Sequence, residues 1–205
     1  MTPSPPAAMG PWSPAWLGAR TGLLSFALLI AVLASPVSAD EPALASLLKT
    51  LDLRGYTSRP APPQFSGSTL DARQLSMAEH RGTVIVLNFW ATWCLECRPE
   101  MAVLERLQRE FSSRGFVVIG VDVRENTEPV RRYAKELGLT FPLVFDPDGK
   151  ISALYGVIGL PTTFVVGRDG RVVAFAIGPR QWESAPARAL IEALLAEPAP
   201  GPAAQ

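Results

Sequence analysis

The chain has 205 residues with 19 basic and 19 acidic side chains, so its formal net charge is zero. It carries no basic stripe, and nucleic-acid binding is therefore not among the expected activities. Two cysteines and a single histidine fall short of the four ligands that a structural zinc site takes. Setting aside an exported leader and two tails leaves roughly 130 to 155 residues, which suits a single core.

Arg20 precedes an apolar stretch at 23–33, followed by Pro36, the small-residue end Val37-Ser38-Ala39, and then Asp40 and Glu41. This is the pattern of a secretory signal peptide over 1–39, cut after Ala39. The apolar core runs to about a dozen residues, where a membrane span needs about 20. An uncleaved N-terminal membrane anchor is the alternative. No cysteine stands at the end of the apolar core to receive a lipid, and Met9 is a second candidate start after a Pro-rich opening.

The 40–63 segment reads as an N-terminal helix and a Pro-rich linker: Leu44, Leu47, Leu48 and Leu51 give helical spacing over 43–53, and prolines crowd 59–63. A small hairpin follows at 64–75, with Asp71 and Ala72 near its turn. The run 84–90 is apolar and β-rich and predicts a central strand. A helical pattern begins at Cys94, and its apolar face is Met101, Leu104, Leu107 and Phe111. Gly115 stands where a C-cap glycine belongs, ahead of a strand over 116–123.

Beyond Asp122 the pattern predicts a helix over 128–137 closed by Gly138, a strand over 142–145, and a turn at Asp146-Pro147-Asp148-Gly149. A hairpin pairs 162–166 with 172–177 through Arg168-Asp169-Gly170. The last helix is expected over 181–195, and a Pro/Ala tail over 197–205 reads as disordered. The alternation of strands and helices predicts an α/β domain over 64–196, a mixed sheet with helices on both faces.

The chemistry sits in Cys94 and Cys97, the only cysteines in the chain. Two thiols at this spacing, between a strand and a helix, point to disulfide exchange. A static staple is the alternative, but so short a loop would restrain the unfolded chain weakly. A cysteine at a helix N-terminus meets unpaired N–H groups and the positive end of the macrodipole, so its thiolate is favoured. Cys94 is then the attacking nucleophile, and Cys97, one turn in, resolves the mixed disulfide.

These residues resemble the thioredoxin superfamily, and within it the TlpA/ResA-like (CcmG/DsbE-related) exported thiol-disulfide oxidoreductases. The resemblance rests on NFWATWC at 88–94, VVIGVDV at 117–123 and GLPTTFVV at 159–166. It implies a thioredoxin-like fold with the extra βα insertion of the TlpA/ResA/AhpC-like group after Asp122. It also implies a cis proline at Pro161, facing the cysteines between Leu160 and Thr162 and offering backbone to an extended client segment. An ordinary trans proline opening strand 162–166 is the alternative.

In thioredoxin a buried aspartate stands at the position of Asn88, and an amide cannot replace it as a base. The resemblance places a functional glutamate at Glu100, which is expected to move the proton for the thiols, with its pKa raised if buried. A solvated first-turn glutamate is the alternative. Glu96, inside the motif, opposes the Cys94 thiolate and tilts the pair towards a reductant, while Arg98 acts in the opposite sense. Trp93 matches the family's shielding tryptophan, Trp90 is expected in the core, and His80 on the surface.

The resemblance implies a periplasmic reductase of oxidised protein thiols, with clients such as apocytochrome c or copper-site assembly proteins. It implies a membrane electron donor of the DsbD/CcdA kind. A disulfide oxidase or isomerase is the first alternative, and a non-catalytic adaptor binding through the proline face is another. A peroxidase fits less well, because Thr92 lies two residues before Cys94 rather than three. No metal, nucleotide or haem motif is present, and the Cys94–Cys97 disulfide is the only redox group expected.

Overall fold

The structure, a computed structural model, describes residues 41–199. The signal peptide or anchor expected at 1–39 lies outside the described residues, as does the tail beyond 199. Among the described residues, no helix is long and apolar enough to cross a membrane.

The centre is the strand β4 (Val84–Trp90), a run of apolar and aromatic side chains around Asn88, with all seven residues buried. To place β4 in its sheet, the remaining strands are β1 (Arg54–Gly55), β2 (Ser66–Ser68), β3 (Gln74–Ser76), β5 (Phe116–Val123), β6 (Leu143–Asp146), β7 (Thr162–Val166) and β8 (Val172–Ile177). The main sheet has the order β1-β8-β7-β4-β5-β6, and β2 and β3 form a separate two-stranded hairpin. The pairs β4–β5 and β5–β6 are parallel, and the rest are antiparallel. A mixed sheet is therefore present as expected.

The helices are α1 (Glu41–Thr50), α2 (Cys97–Phe111), α3 (Thr127–Leu137), α4 (Lys150–Leu154) and α5 (Ala185–Ala196). Alternation along β4 sends Val84, Val86 and Trp90 into one core with α1, α2, α3 and α5, and Ile85, Leu87 and Phe89 into the other. The second core is closed by Phe65, Leu75 and Met77 from the hairpin region and by Ile151 and Tyr155 around α4. Helices thus cover both faces, unevenly.

Two helix starts differ from expectation, and proline explains both. A helix running from Cys94 would need an N–H from Pro99 in its interior; α2 instead starts at Cys97, which leaves Pro99 in the first turn where no donor is required. Likewise α5 starts at Ala185 rather than 181, with Pro186 in its first turn and the Ser184 side chain accepting from Ala187 N–H. The glycines Gly115 and Gly138 cap in the left-handed region at φ 86° and 61°, as their positions suggested.

The 40–63 stretch is not a linker outside the domain. Leu44 and Leu48 of α1 enter the core, β1 pairs with β8, and Val172 N–H donates to the Pro60 carbonyl. Arg59 then pairs in bidentate fashion with Glu197, so the tail's first residue is held. Pattern reading missed α4 and β1, which are too short to show a period. In α4, Asp146 accepts from the N–H groups of Ile151 and Ser152.

Candidate functional site

Strand β4 ends at Trp90 and the chain turns through Ala91, Thr92 and Trp93 into the cysteines. Cys94 and Cys97 are joined in a disulfide with their Cα atoms 5.3 Å apart. Cys94 N–H donates to the Ala91 carbonyl and Cys97 N–H to that of Cys94, so the pair spans a turn in front of α2. Cys97 is the first helical residue and fully sealed, while Cys94 keeps 7% of its surface. The difference in access fits Cys94 as the sulfur that meets a client. Both sulfurs lie at the positive end of the α2 macrodipole, which favours a thiolate there on reduction.

The turn carrying the cysteines is clamped from a direction the sequence did not signal. Glu125, in the loop after β5, accepts from both the N–H and the hydroxyl of Thr92, each at 2.5 Å. No spacing rule links residues 33 apart, which is why sequence reasoning passed over it.

Beside the disulfide opens a cleft of about 700 Å³ lined by Trp93, Cys94, Leu95, Glu96, Ile158 and Leu160, among others. Its rim is apolar and open to solvent: Trp93 is 64% exposed, Leu95 88% and Ile158 86%. Exposed apolar side chains grouped round a reactive centre are the usual mark of a docking surface. Glu96 stands at the N-cap of α2, exposed and making no capping bond.

The Leu160–Pro161 peptide is cis. Leu160 shares the cleft with Cys94, whereas Pro161 and Thr162 are buried behind it. The Pro161 carbonyl already accepts from Gly178 N–H at 2.7 Å, and Thr162 Oγ1 donates to the Gly159 carbonyl at 2.7 Å. Pro161 therefore has no N–H for a client strand and a carbonyl already engaged by Gly178, while Leu160 is the member of the loop that lines the cleft.

Glu100 lies one turn along α2 from Cys97 and is 3% exposed. Its Oε1 accepts from Arg180 N–H (3.0 Å) and Trp182 Nε1–H (2.7 Å), and its Oε2 from Asn88 Nδ2 (3.0 Å). Asn88 Nδ2 also donates to Thr163 Oγ1 at 2.8 Å, while Asn88 Oδ1 has no partner among the described residues. Burial pushes the Glu100 carboxyl above its ordinary range, and the three donors partly oppose that rise. A solvated glutamate is ruled out. Asn88, Glu100, Trp182 and Thr163 are one network joining β4, α2, the approach to α5, and β7.

Arg98 does not balance Glu96 as expected. Its guanidinium pairs with Glu136 of α3 and lies over the Tyr133 ring, 5.1 Å from the centroid, so its charge is spent on packing α2 to α3. Trp90 is fully buried against Tyr133. His80 is half-buried rather than on the open surface, and burial lowers its pKa. Among the described residues, no group of three or more His, Cys, Asp or Glu side chains could hold a metal ion.

A mixed sheet whose central strand runs into a Cys-x-x-Cys turn, with a cis proline beside it, defines a thioredoxin-like protein. The chain belongs to the AhpC/TSA family, whose model matches residues 58–175. It is 34% identical over 111 residues to the thiol-disulfide oxidoreductase ResA of Bacillus thuringiensis subsp. konkukian (strain 97-27), a match covering 54% of this chain and 64% of that relative. The thioredoxin-like protein YneN of Bacillus subtilis (strain 168) is 37% identical over 118 residues, covering 57% of this chain and 69% of YneN. Among solved structures, a putative thiol:disulfide interchange protein DsbE from Chlorobium tepidum superposes with a TM-score of 0.62 at 28% identity, covering 69% of this chain and 97% of that one. A secreted Mycobacterium tuberculosis disulfide oxidoreductase superposes with a TM-score of 0.55 at 25% identity, over 65% of this chain and 96% of that one.

Proposed function

We propose that this protein is an exported thiol-disulfide oxidoreductase that reduces disulfides in client proteins. The observation that carries this reading is the Cys94–Cys97 pair at the head of α2, with the more accessible sulfur facing an apolar, solvent-open cleft. The names of the relatives support the reaction class, and the leader pattern at 1–39 supports export.

The reaction starts from the reduced pair. Cys94 thiolate attacks one sulfur of the client disulfide, forming a Cys94–client bond and releasing the other client sulfur as a thiolate. Cys97, after losing its proton, attacks Cys94 Sγ, and the second client sulfur leaves. The client gains two electrons and two protons, and Cys94–Cys97 returns as the disulfide. Glu100, buried three residues beyond Cys97 on α2 with a raised pKa, would take the Cys97 proton. Glu96 opposes the Cys94 thiolate and favours the reducing direction. Leu160, with Pro161 and Thr162 fixing it, and Trp93 would form the client contact.

An oxidising compartment needs a dedicated reductant, which fits a membrane electron donor of the DsbD/CcdA class and clients such as apocytochrome c or copper-site assembly proteins. The test is capture. With Cys97→Ala, the mixed disulfide cannot resolve, so reacting the variant with a periplasmic extract should yield a dithiothreitol-sensitive covalent adduct that Cys94→Ala does not form. Equal adducts from both variants, or none from either, would sink the order of attack.

A further inference from the structure

Behind the Thr92 clamp lies an acid the proposed reaction does not use. Asp122 stands in β5 directly opposite Trp90 of β4, has no exposed surface, and finds no donor for either carboxyl oxygen among the described residues. The side chain that can hydrogen-bond it is the carboxyl of Glu125, although the neighbouring Trp90 Nε1–H also lacks a partner among the described residues, and two carboxyls hydrogen-bond only when one of them carries a proton. Glu125 in turn uses its oxygens to accept from Thr92 N–H and Oγ1–H. We propose that Asp122 is a positioning residue: its carboxyl shares one proton with Glu125, and this bond keeps Glu125 on Thr92 and fixes the turn that carries Trp93 and Cys94.

The surroundings favour a single shared proton. From β6, Asp146 adds negative charge, although its oxygens are occupied by Ile151 and Ser152 N–H. From α3, Tyr133 contributes a hydroxyl that is buried without a partner among the described residues, and its own pKa is pushed up to about 12 by burial. The nearest cation on α2, Arg98, is taken by Glu136 and the Tyr133 ring. Burial, with Glu125 and Asp146 adding to it, carries the Asp122 carboxyl up to about 9. At neutral pH Asp122 keeps its proton. When Asp122 releases its proton at alkaline pH, its buried carboxylate faces that of the half-buried Glu125, the bond between them is lost, and Glu125 is driven off Thr92.

This inference goes beyond the proposed reduction and does not depend on the direction of electron flow. It is tested in the oxidised full chain, where the disulfide-bonded cysteines do not titrate. Carboxyl ¹³C signals of Asp122 and Glu125 are followed by NMR from acid to alkaline pH. The expected result is a step with a midpoint near 9 seen at both residues, and no such step at Glu125 in Asp122→Asn, whose amide N–H replaces the shared proton. A second readout is the thiol-disulfide exchange rate of the reduced proteins, taken as the ratio of Asp122→Asn to wild type. That ratio should rise about threefold or more between about pH 7 and pH 10, because only the wild type loses its clamp. An Asp122 signal that titrates in the ordinary carboxylate range would overturn the proposal, even if the variant fails to fold. So would an alkaline Glu125 step that survives in Asp122→Asn, or a flat rate ratio.

Discussion

Replacing Glu100 separates its structural burden from its protons. Glu100→Ala leaves three donors, the part-buried Arg180 N–H and the buried Trp182 Nε1–H and one N–H of Asn88, without an acceptor. An unsatisfied buried donor costs about 1–3 kcal/mol, and because the three share one network their sum should fall near 3–6 kcal/mol rather than at the additive limit. Glu100→Gln keeps an oxygen for Arg180 and Trp182 and sets an NH₂ against Asn88. Turning the Asn88 amide over then brings its unpartnered Oδ1 to that NH₂, so the Gln variant should lose only about 1 kcal/mol. The wild type must also hold a raised carboxyl in the fold. A group whose folded pKa is raised contributes stability that is present below the unfolded value and lost as pH rises, so the deficit of Glu100→Gln relative to wild type should shrink from about pH 5 to pH 8. Urea unfolding of the oxidised proteins at those pH values measures both effects. Equal losses for Ala and Gln, or a wild type–Gln gap that does not change with pH, would refute the reasoning.

Two further variants carry expected outcomes. Gly120→Ala places a Cβ 2.8 Å from Leu143 Cδ2 and 3.0 Å from Trp90 Nε1. This overpacking should remove about 1–3 kcal/mol, read as a lower urea midpoint at unchanged slope, and an unshifted midpoint would contradict it. Trp93→Ala should change folding stability by less than about 0.5 kcal/mol, since the side chain is 64% exposed. The same variant should lower kcat/KM towards a disulfide-containing client peptide roughly tenfold, and an unchanged kcat/KM would remove Trp93 from the client surface.

Much of the fold could be read from local pattern. Val84–Trp90, Phe116–Val123 and both strands of the last hairpin lie where composition and turn residues put them. The starts of α2 and α5 were misread because apolar periodicity continues upstream of the first turn, whereas Pro99 and Pro186 decide where hydrogen bonding can begin. Within the site, the cysteines and the Leu160–Pro161–Thr162 loop were legible from sequence. The partners of Glu100 were not: Trp182 is 82 residues away, and only the sheet and α2 together bring its indole to the carboxylate. The Thr92–Glu125 clamp and the buried Asp122 behind it escaped for the same reason, since Asp122 reads as one polar residue in a strand until its neighbours are known.

The most direct measurement is the reduction potential of Cys94–Cys97 in the protein, equilibrated against dithiothreitol or glutathione buffers and followed by tryptophan fluorescence. Glu96, two residues from Cys94 and lining the same cleft, with Arg98 paired to Glu136, should place it at or below about −250 mV, as befits a reductant. A value near about −120 mV, in the range of strong disulfide donors, would contradict the reductase reading.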